Sequence, residues 1–421
     1  MNIEPRDDLY KRRATIALGG LFIAAIFSLV AVIRSHVAVT ENTFFRTPPE
    51  LFSLYSADFL CFYAAAQVGA KNLSSVYDPA ILDAAQASVT AGAQANNPHY
   101  IYAYPPFITK ILIPFSYLSF GMAYYSWMVI SYLLAACAVF LCAPVSFTRH
   151  QKILCGAVLP LVFPFFSFTA LMAGQLSSIG LVIFALVVKL RKVSPFWAGI
   201  ALSLGLYKPP LFVGYAALAL IAREWRLIQG AFVGVLAIAG LSIAFTGEAP
   251  WRDFLVQASG YVYGGALSDG RNLPAEKGMG LLSAAVCSTG STTAGWVVFL
   301  ILFVVAVVFH SRTHHQKFGN NELTERCEQA SRITLTYLLS IQALNYDAAI
   351  LLVPIMLVGS AYVIRPPALL DLYLFVFSLL FLIVAGTMDT ENGSGISTGG
   401  ISVIVFWLVL IRAWKHSKFA A

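Results

Sequence analysis

Charge is what this chain has least of. Only 11% of its 421 residues are Asp, Glu, Lys or Arg, 59% are hydrophobic, and mean hydropathy is +0.76. Soluble globular domains carry about a quarter charged residues, so that class is excluded and a bilayer is the natural solvent. Acidic residues number 20 against 27 basic ones, but the resulting +7 does not collect on one stripe. The basic residues stand in short clusters between apolar runs, as topology signals do, and no nucleic-acid partner is expected. Cysteine is also sparse: the six, at 61, 137, 142, 155, 287 and 327, lie mostly in or beside apolar segments, with no CxxC and no Cys/His ligand spacing. Neither a disulfide framework nor a zinc site is indicated. Internal repeats, heptads and low-complexity tracts are lacking as well, so residues 1–421 read as a single membrane domain.

What is present is a series of apolar runs. A helix needs about 20 residues to cross the hydrocarbon core, and Lys and Arg favour cytoplasmic ends. By that rule the first span is 14–33, following Lys11, Arg12 and Arg13 and closed by Arg34; no small-residue cleavage site follows, so it is retained. Residues 34–106 then form a first extracytoplasmic loop with short interfacial helices over 60–70 and 79–94. The piece 107–118, broken by Pro114, is interfacial or re-entrant, and 120–142 crosses. Next come 153–170, 175–190 and two short helices meeting at Lys208-Pro209-Pro210. The later spans are 226–246, 293–310, 333–345, 347–364, 368–386 and 398–413, with a second extracytoplasmic loop at 247–291 and a cytoplasmic loop at 311–332. The expected fold is thus an all-α polytopic bundle of about twelve transmembrane helices with both termini cytoplasmic. Compact loops and short tails suit a bacterial inner membrane.

On this topology Asp58, Gln175, Lys208, Asn345 and Asp347 all fall at or near outer ends of helices. An ionisable group in or beside lipid costs a few kcal/mol, so it usually faces a polar cavity and has a partner. Each residue has a bland reading beside the functional one. Asp58, after Ser56-Ala57, is an N-cap or a catalytic carboxylate. Lys208 snorkels to headgroups or, at unwound backbone ahead of Pro209-Pro210, enters a cavity. Gln175 bonds between helices or binds a ligand. Asp347 pairs with Lys208, caps the helix that follows it, or serves the site. The aromatics Tyr63, Tyr77, Tyr102, Tyr104, Trp251, Tyr261 and Tyr263 form an interfacial belt or stack on sugar or prenyl groups. Sugar transfer from a lipid phosphate to a hydroxyl needs a carboxylate to take the proton and a cation or donors to hold the phosphate. Asp58 and Lys208 suit those two parts.

The run Asp58-Phe59-x-x-Phe62-Tyr63-x-Ala65-Ala66, then Val76-Tyr77-Asp78-Pro79 and Tyr104-Pro105-Pro106-Phe107 followed by Pro114, resembles the first outer loop of glycosyltransferase family 87. The likeness continues through Gly174-Gln175, Ala198-Gly199-Ile200-Ala201-Leu202 to Lys208-Pro209, Arg223-Glu224-Trp225-Arg226 and Tyr346-Asp347, nearly the whole chain in the family's order. It implies a GT-C fold, outer-face catalysis, a polyprenyl-phosphate-sugar donor (mannose favoured) and a lipid or glycan acceptor among membrane lipids. In the polyprenyl-phosphomannose-dependent members the general base is an aspartate of the first outer loop, and Asp58 takes that place. Lys208, Gln175, Asn345, Tyr346, Asp347 and Tyr104 are then the expected donor phosphate and sugar contacts. Where many members carry a histidine ahead of the Tyr-Asp pair, this chain has Leu344-Asn345; Asn345 can donate a hydrogen bond but is no acid or base. His314-His315 lies on the opposite face. No cofactor is expected: Asp58 with Asp78 could hold a divalent ion, yet their spacing does not demand one, and metal-independent inverting transfer is preferred. A lipid-linked-glycan ligase or polymerase would carry its large loop later and lined with arginines, and a secondary transporter would show repeats and short loops.

Overall fold

A computed structural model describes residues 57–89, 100–262, 278–315, 322–365, 367–387 and 398–419, with the isolated positions 26, 273 and 275. Apart from position 26, the expected first span at 14–33 lies outside the described residues, as does Tyr263. Among the described residues every regular element is a helix, and an isolated antiparallel bridge joins Gly278 to Leu344.

The described part of the segment expected as the first outer loop contains short helices. Helix α1 (Ala57–Lys71) has Asp58 in its first turn and Lys71 in its last, the polarity that a helix dipole favours. A 3-10 turn at Ser74–Tyr77 leads into α2 (Pro79–Val89). There Pro79 stands at the first position, and Asp78 Oδ1 accepts from the main-chain N–H of Ala80 at 2.9 Å. Helix α3 (Pro106–Leu112) and the 3-10 turn Ile113–Tyr117, which contains Pro114, are together too short to cross a hydrocarbon core of roughly 30 Å.

The apolar runs give α4 (Phe120–Cys142), then α5 (Arg149–Val162) with the π-helix Phe165–Met172, two pieces bent by 71° around Pro164. Helix α6 (Ser177–Arg191) follows, then α7 (Pro195–Ser203) and α8 (Val213–Ile221). Between the last two, Pro209 disfavours helical backbone at the residue before it, and Lys208 takes φ −147° and ψ 71°. The expected pair of short helices therefore meets at Lys208. The remainder is α9 (Trp225–Thr246), α10 (Ala249–Gly260), α11 (Leu281–Thr289), α12 (Thr292–His315), α13 (Glu322–Leu339), a 3-10 turn at Asn345–Leu351, α14 (Leu352–Ile364), α15 (Leu369–Thr387) and α16 (Thr398–Phe419).

Among the described residues five helices are long and apolar enough to cross a membrane: Phe120–Cys142, Trp225–Thr246, Thr292–Thr313, Asn345–Ile364 and Gly399–Ser417. The bent 149–172 pair makes a sixth. The protein is membrane-embedded; among the described residues length and composition support five or six spans rather than the expected twelve or so, with α6, α7 and α8 shorter than a span. The Asn345–Ile364 helix is 89% buried and forms the centre, whereas Trp225–Thr246 and Thr292–Thr313 are 22% buried and turn residues such as Phe232, Leu236, Leu300 and Val304 outward. Helix α9 closes on α7 through glycines: an added Cβ on Gly199 or Gly230 would stand 2.0 Å from the carbonyl oxygen of Leu227 or Phe196. Small residues at such crossings let membrane helices approach backbone to backbone.

The described parts of 311–332 are helical, against the loop that their polarity suggested. Ser311 to His315 extends α12, and one helix runs from Glu322 to Leu339 with every residue from Cys327 to Leu339 buried. Its buried charges Glu328 and Arg332 are paired inside the bundle. Arg332, 1% exposed, pairs with Glu224 at 2.9 Å and Glu328 at 2.8 Å, while Arg191 pairs with Glu328 at 2.8 Å and with Glu224. Tyr215 Oη donates to Gln329 Oε1 at 2.6 Å beside this cluster. Arg191, one of the basic residues between apolar runs, and Glu224, at the start of α9, are therefore half of a neutral network joining α6, α9 and α13.

Candidate active site

A cavity of about 390 Å³ lies where α1, the Gly174-Gln175 turn, the Lys208 break and the turn after α13 converge. This is the far end of α6 from the Arg191 cluster, roughly 22 Å away at 1.5 Å per residue. One side of its lining is polar, with Asp58, Tyr100, Tyr104, Gln175, Lys208 and Tyr346; another is apolar, with Phe254, Leu255, Ala258 and Val262 in and after α10.

Asp58 owes its place to its neighbour. The Phe59 N–H donates to the carbonyl of Ala173 at 2.9 Å, and the Phe59 ring is enclosed by Phe115, Phe120 and Tyr124 at centroid distances of 6.4, 5.9 and 5.7 Å. Gly174 has φ +73°, and a Cβ there would stand 2.5 Å from the Phe59 Cβ. Only glycine meets both demands without strain. The turn that presents Gln175 is thus docked on the first turn of α1, which presents Asp58.

Lys208 reaches the cavity because its backbone is extended between two 3-10 turns. Its Nζ donates to both Asp347 oxygens, at 2.7 and 2.6 Å, and stands 4.8 Å from the Tyr346 ring centroid. Asp347 Oδ2 also accepts from the N–H of Leu344 at 3.1 Å, so this carboxylate both pairs with Lys208 and caps its own helix. Lys208 is 9% exposed and Asp347 1%.

Tyr104 Oη donates to Gln175 Oε1 at 3.2 Å, and the Tyr104 carbonyl accepts from Tyr77 Oη at 2.8 Å. Burial pushes the Tyr104 phenol well above its ordinary value, and the neighbouring Asp347, Tyr207 and Asp58 add to the rise. Burial followed by Asp58 raises Tyr100 likewise. Both phenols stay protonated at neutral pH, and the shared influence of Asp58 sets that carboxylate near them.

Of the residues singled out from sequence, Asp58, Tyr104, Gln175, Lys208 and Tyr346 line the cavity, and Asp347 sits behind Lys208. Asn345 does not line it: the residue is exposed, and its Oδ1 accepts from the N–H of Tyr346 at 2.8 Å. Asp78 caps α2 and is not in the lining that contains Asp58. Three of the outer aromatics are scaffold. Tyr63 donates to the Leu118 carbonyl at 2.7 Å, Tyr77 to Tyr104, and Tyr102 is fully buried and accepts from Thr109 at 2.9 Å. Trp251 donates to Ser242 Oγ at 2.9 Å and ties α10 to α9. Tyr261 does line the cavity. The sequence reading missed Tyr100, Ser259 and Gln342; Gln342 Nε2 donates to the Tyr261 carbonyl at 2.5 Å and lines the cavity. A polar residue three positions before Asn345, between two apolar runs, was the available signal.

A carboxylate, a paired ammonium and protonated phenols around one cavity can take a proton from a hydroxyl while holding an anion. A family model, glycosyltransferase family 87, matches residues 102–340, more than half of the chain. That stretch contains Tyr104, Gln175 and Lys208, and leaves Asp58 and Asp347 outside it. No curated protein and no solved structure matches.

Proposed function

The chain belongs to glycosyltransferase family 87, and on that premise we propose that it moves a hexose from a polyprenyl-phosphate carrier to an acceptor hydroxyl at the extracytoplasmic face. The observation that carries this reading is the meeting of Asp58, Lys208, Gln175, Tyr104 and Tyr346 around one cavity of about 390 Å³, within the usual range for small-molecule sites. Asp58 is the general base. It takes the proton of the acceptor hydroxyl as that oxygen bonds to the anomeric carbon. The bond from the same carbon to the phosphate oxygen breaks, and polyprenyl phosphate leaves with the electron pair, its charge held by Lys208. Asp347 keeps that ammonium compensated where an unpaired ion would be costly. The apolar flank at Phe254, Leu255 and Ala258 suits a lipid tail on donor or acceptor. Attack from the face opposite the phosphate inverts the anomeric centre. Mannose is favoured as the sugar and a lipid or glycan as acceptor, and the basic clusters between spans support an outer position for the site.

The test is transfer or slow hydrolysis from a panel of polyprenyl-phosphate sugars by wild type and Asp58→Asn, with and without chelator. Wild type should consume one donor, undiminished by chelator, and the folded variant should lose roughly a hundredfold or more, the scale of a removed general base. Full activity in Asp58→Asn moves the base to another carboxylate, and a wild type inert on the whole panel rejects the donor class.

A further inference from the structure

Gln175 is 4% exposed, lines the cavity, and has its carboxamide orientation set by a neighbour that cannot act otherwise. The N–H of Leu176 can only donate, and it donates to Gln175 Oε1 at 3.4 Å; the Tyr104 hydroxyl donates to the same atom at 3.2 Å. The amide nitrogen is left with two N–H groups and no hydrogen-bond partner among the described residues. It is also absent from the polar atoms sealed from solvent without a partner, which include Oγ of both Ser177 and Ser178 in the following turn. With Oε1 held by Tyr104 and Leu176, the N–H groups are what Gln175 offers to the cavity it lines.

Once a bound ligand displaces water, a donor held this way costs about 1–3 kcal/mol if left unsatisfied, so it selects for a ligand that brings an acceptor oxygen. Phosphate has its own cationic partner in Lys208, at a separate break in the chain. Gln175 is neutral, and its turn is locked to Phe59, beside the carboxylate that handles the hydroxyl. Resting on the transfer reading above, we infer that Gln175 is a specificity-determining residue whose amide donates to one sugar hydroxyl oxygen. Tyr104 and Leu176 fix the amide; the hydroxyl belongs to the transferred hexose or to a sugar of the acceptor.

The experiment crosses enzyme variants with substrate analogues. Wild type, Gln175→Ala and the volume-keeping Gln175→Met are each assayed with the parent donor and acceptor and with monodeoxy analogues of both. Wild type should prefer the parent over one deoxy compound by about a hundredfold or more, as sites built to bond a hydroxyl do. In both variants that one preference should fall below about fivefold, the other preferences staying unchanged. Whether the collapsing preference belongs to a donor or an acceptor analogue names the sugar that is read. A purely structural Gln175 would lower the rates on parent and analogue together and keep every ratio; that result, in a wild type that transfers, overturns the inference alone. A wild type that transfers from no donor overturns the reading beneath it.

Discussion

The Lys208–Asp347 pair is where stability and activity should come apart. Lys208→Met leaves Asp347, 1% exposed and already committed to the Leu344 N–H, with a buried charge and no cation. Breaking one side of a buried pair costs about 3–5 kcal/mol, while replacing both sides with apolar groups of similar volume is often neutral or stabilising. Neither partner is exposed enough for solvent screening to reduce that cost. Chemical denaturation of the purified protein should thus rank Lys208→Met well below wild type, and Lys208→Met with Asp347→Asn, which keeps an acceptor for the Leu344 N–H, back within about 1 kcal/mol of it. Glycosyl transfer should follow another order, both variants losing roughly a hundred- to a thousandfold because the leaving phosphate has lost its cation. Recovery of transfer in the stable double variant would refute this reasoning and reduce Lys208 to a clip that holds a helix break. Wild-type stability in Lys208→Met would refute the structural half.

Two further outcomes follow from the geometry. Gly174→Ala puts a Cβ 2.5 Å from that of Phe59 at φ +73°, so steady-state assays should show a kcat lowered about ten- to a hundredfold, beyond what the loss of folded protein explains. Burial pushes the Glu224 carboxyl up, but Arg332 and Arg191 outweigh it and hold it below its ordinary 4.5. Its contribution is then complete above that value and lost as pH falls through the lower one; thermal midpoints of wild type in detergent should drop between about pH 5 and pH 3, and Glu224→Gln, weaker at neutral pH, should drop less.

The readable part of the fold was the part ruled by one-dimensional physics. Apolar runs and basic clusters located the crossing helices, and Pro209 announced the break that presents Lys208, because proline restricts its predecessor whatever the tertiary context. The singled-out residues that line the candidate cavity were legible for a related reason: a polar or ionisable residue at a helix end in lipid has few innocent explanations. Asn345 was singled out as a polar residue at a helix end, yet it is exposed and its Oδ1 accepts from the next N–H, a detail of local torsion that spacing does not encode. The polar half of α13 was unreadable because its charges are answered by Arg191 and Glu224, distant in sequence. Helix α10 was hidden for the opposite reason: Arg252 and Asp253 made it read as loop, while Phe254 and Leu255 beside them form a wall of the cavity.

That hidden pairing bears on the site itself. Helix α6 begins next to Gln175 and ends at Arg191, and α13 carries Glu328 and Arg332 before running into the turn that holds Gln342 and Asp347. The same two helices therefore support the cavity at one end and the four-charge network at the other. A hydrophobic contact between them would tolerate sliding, since lipid-like side chains pack in many registers. Charges paired at 2.8 to 2.9 Å with Glu224 and Glu328 do not, because a slip of one helical turn, about 5.4 Å, would leave buried ions unpaired. The network is best understood as what fixes the register of α6 against α13, and so the distance across the cavity between Gln175 and the Lys208–Asp347 pair.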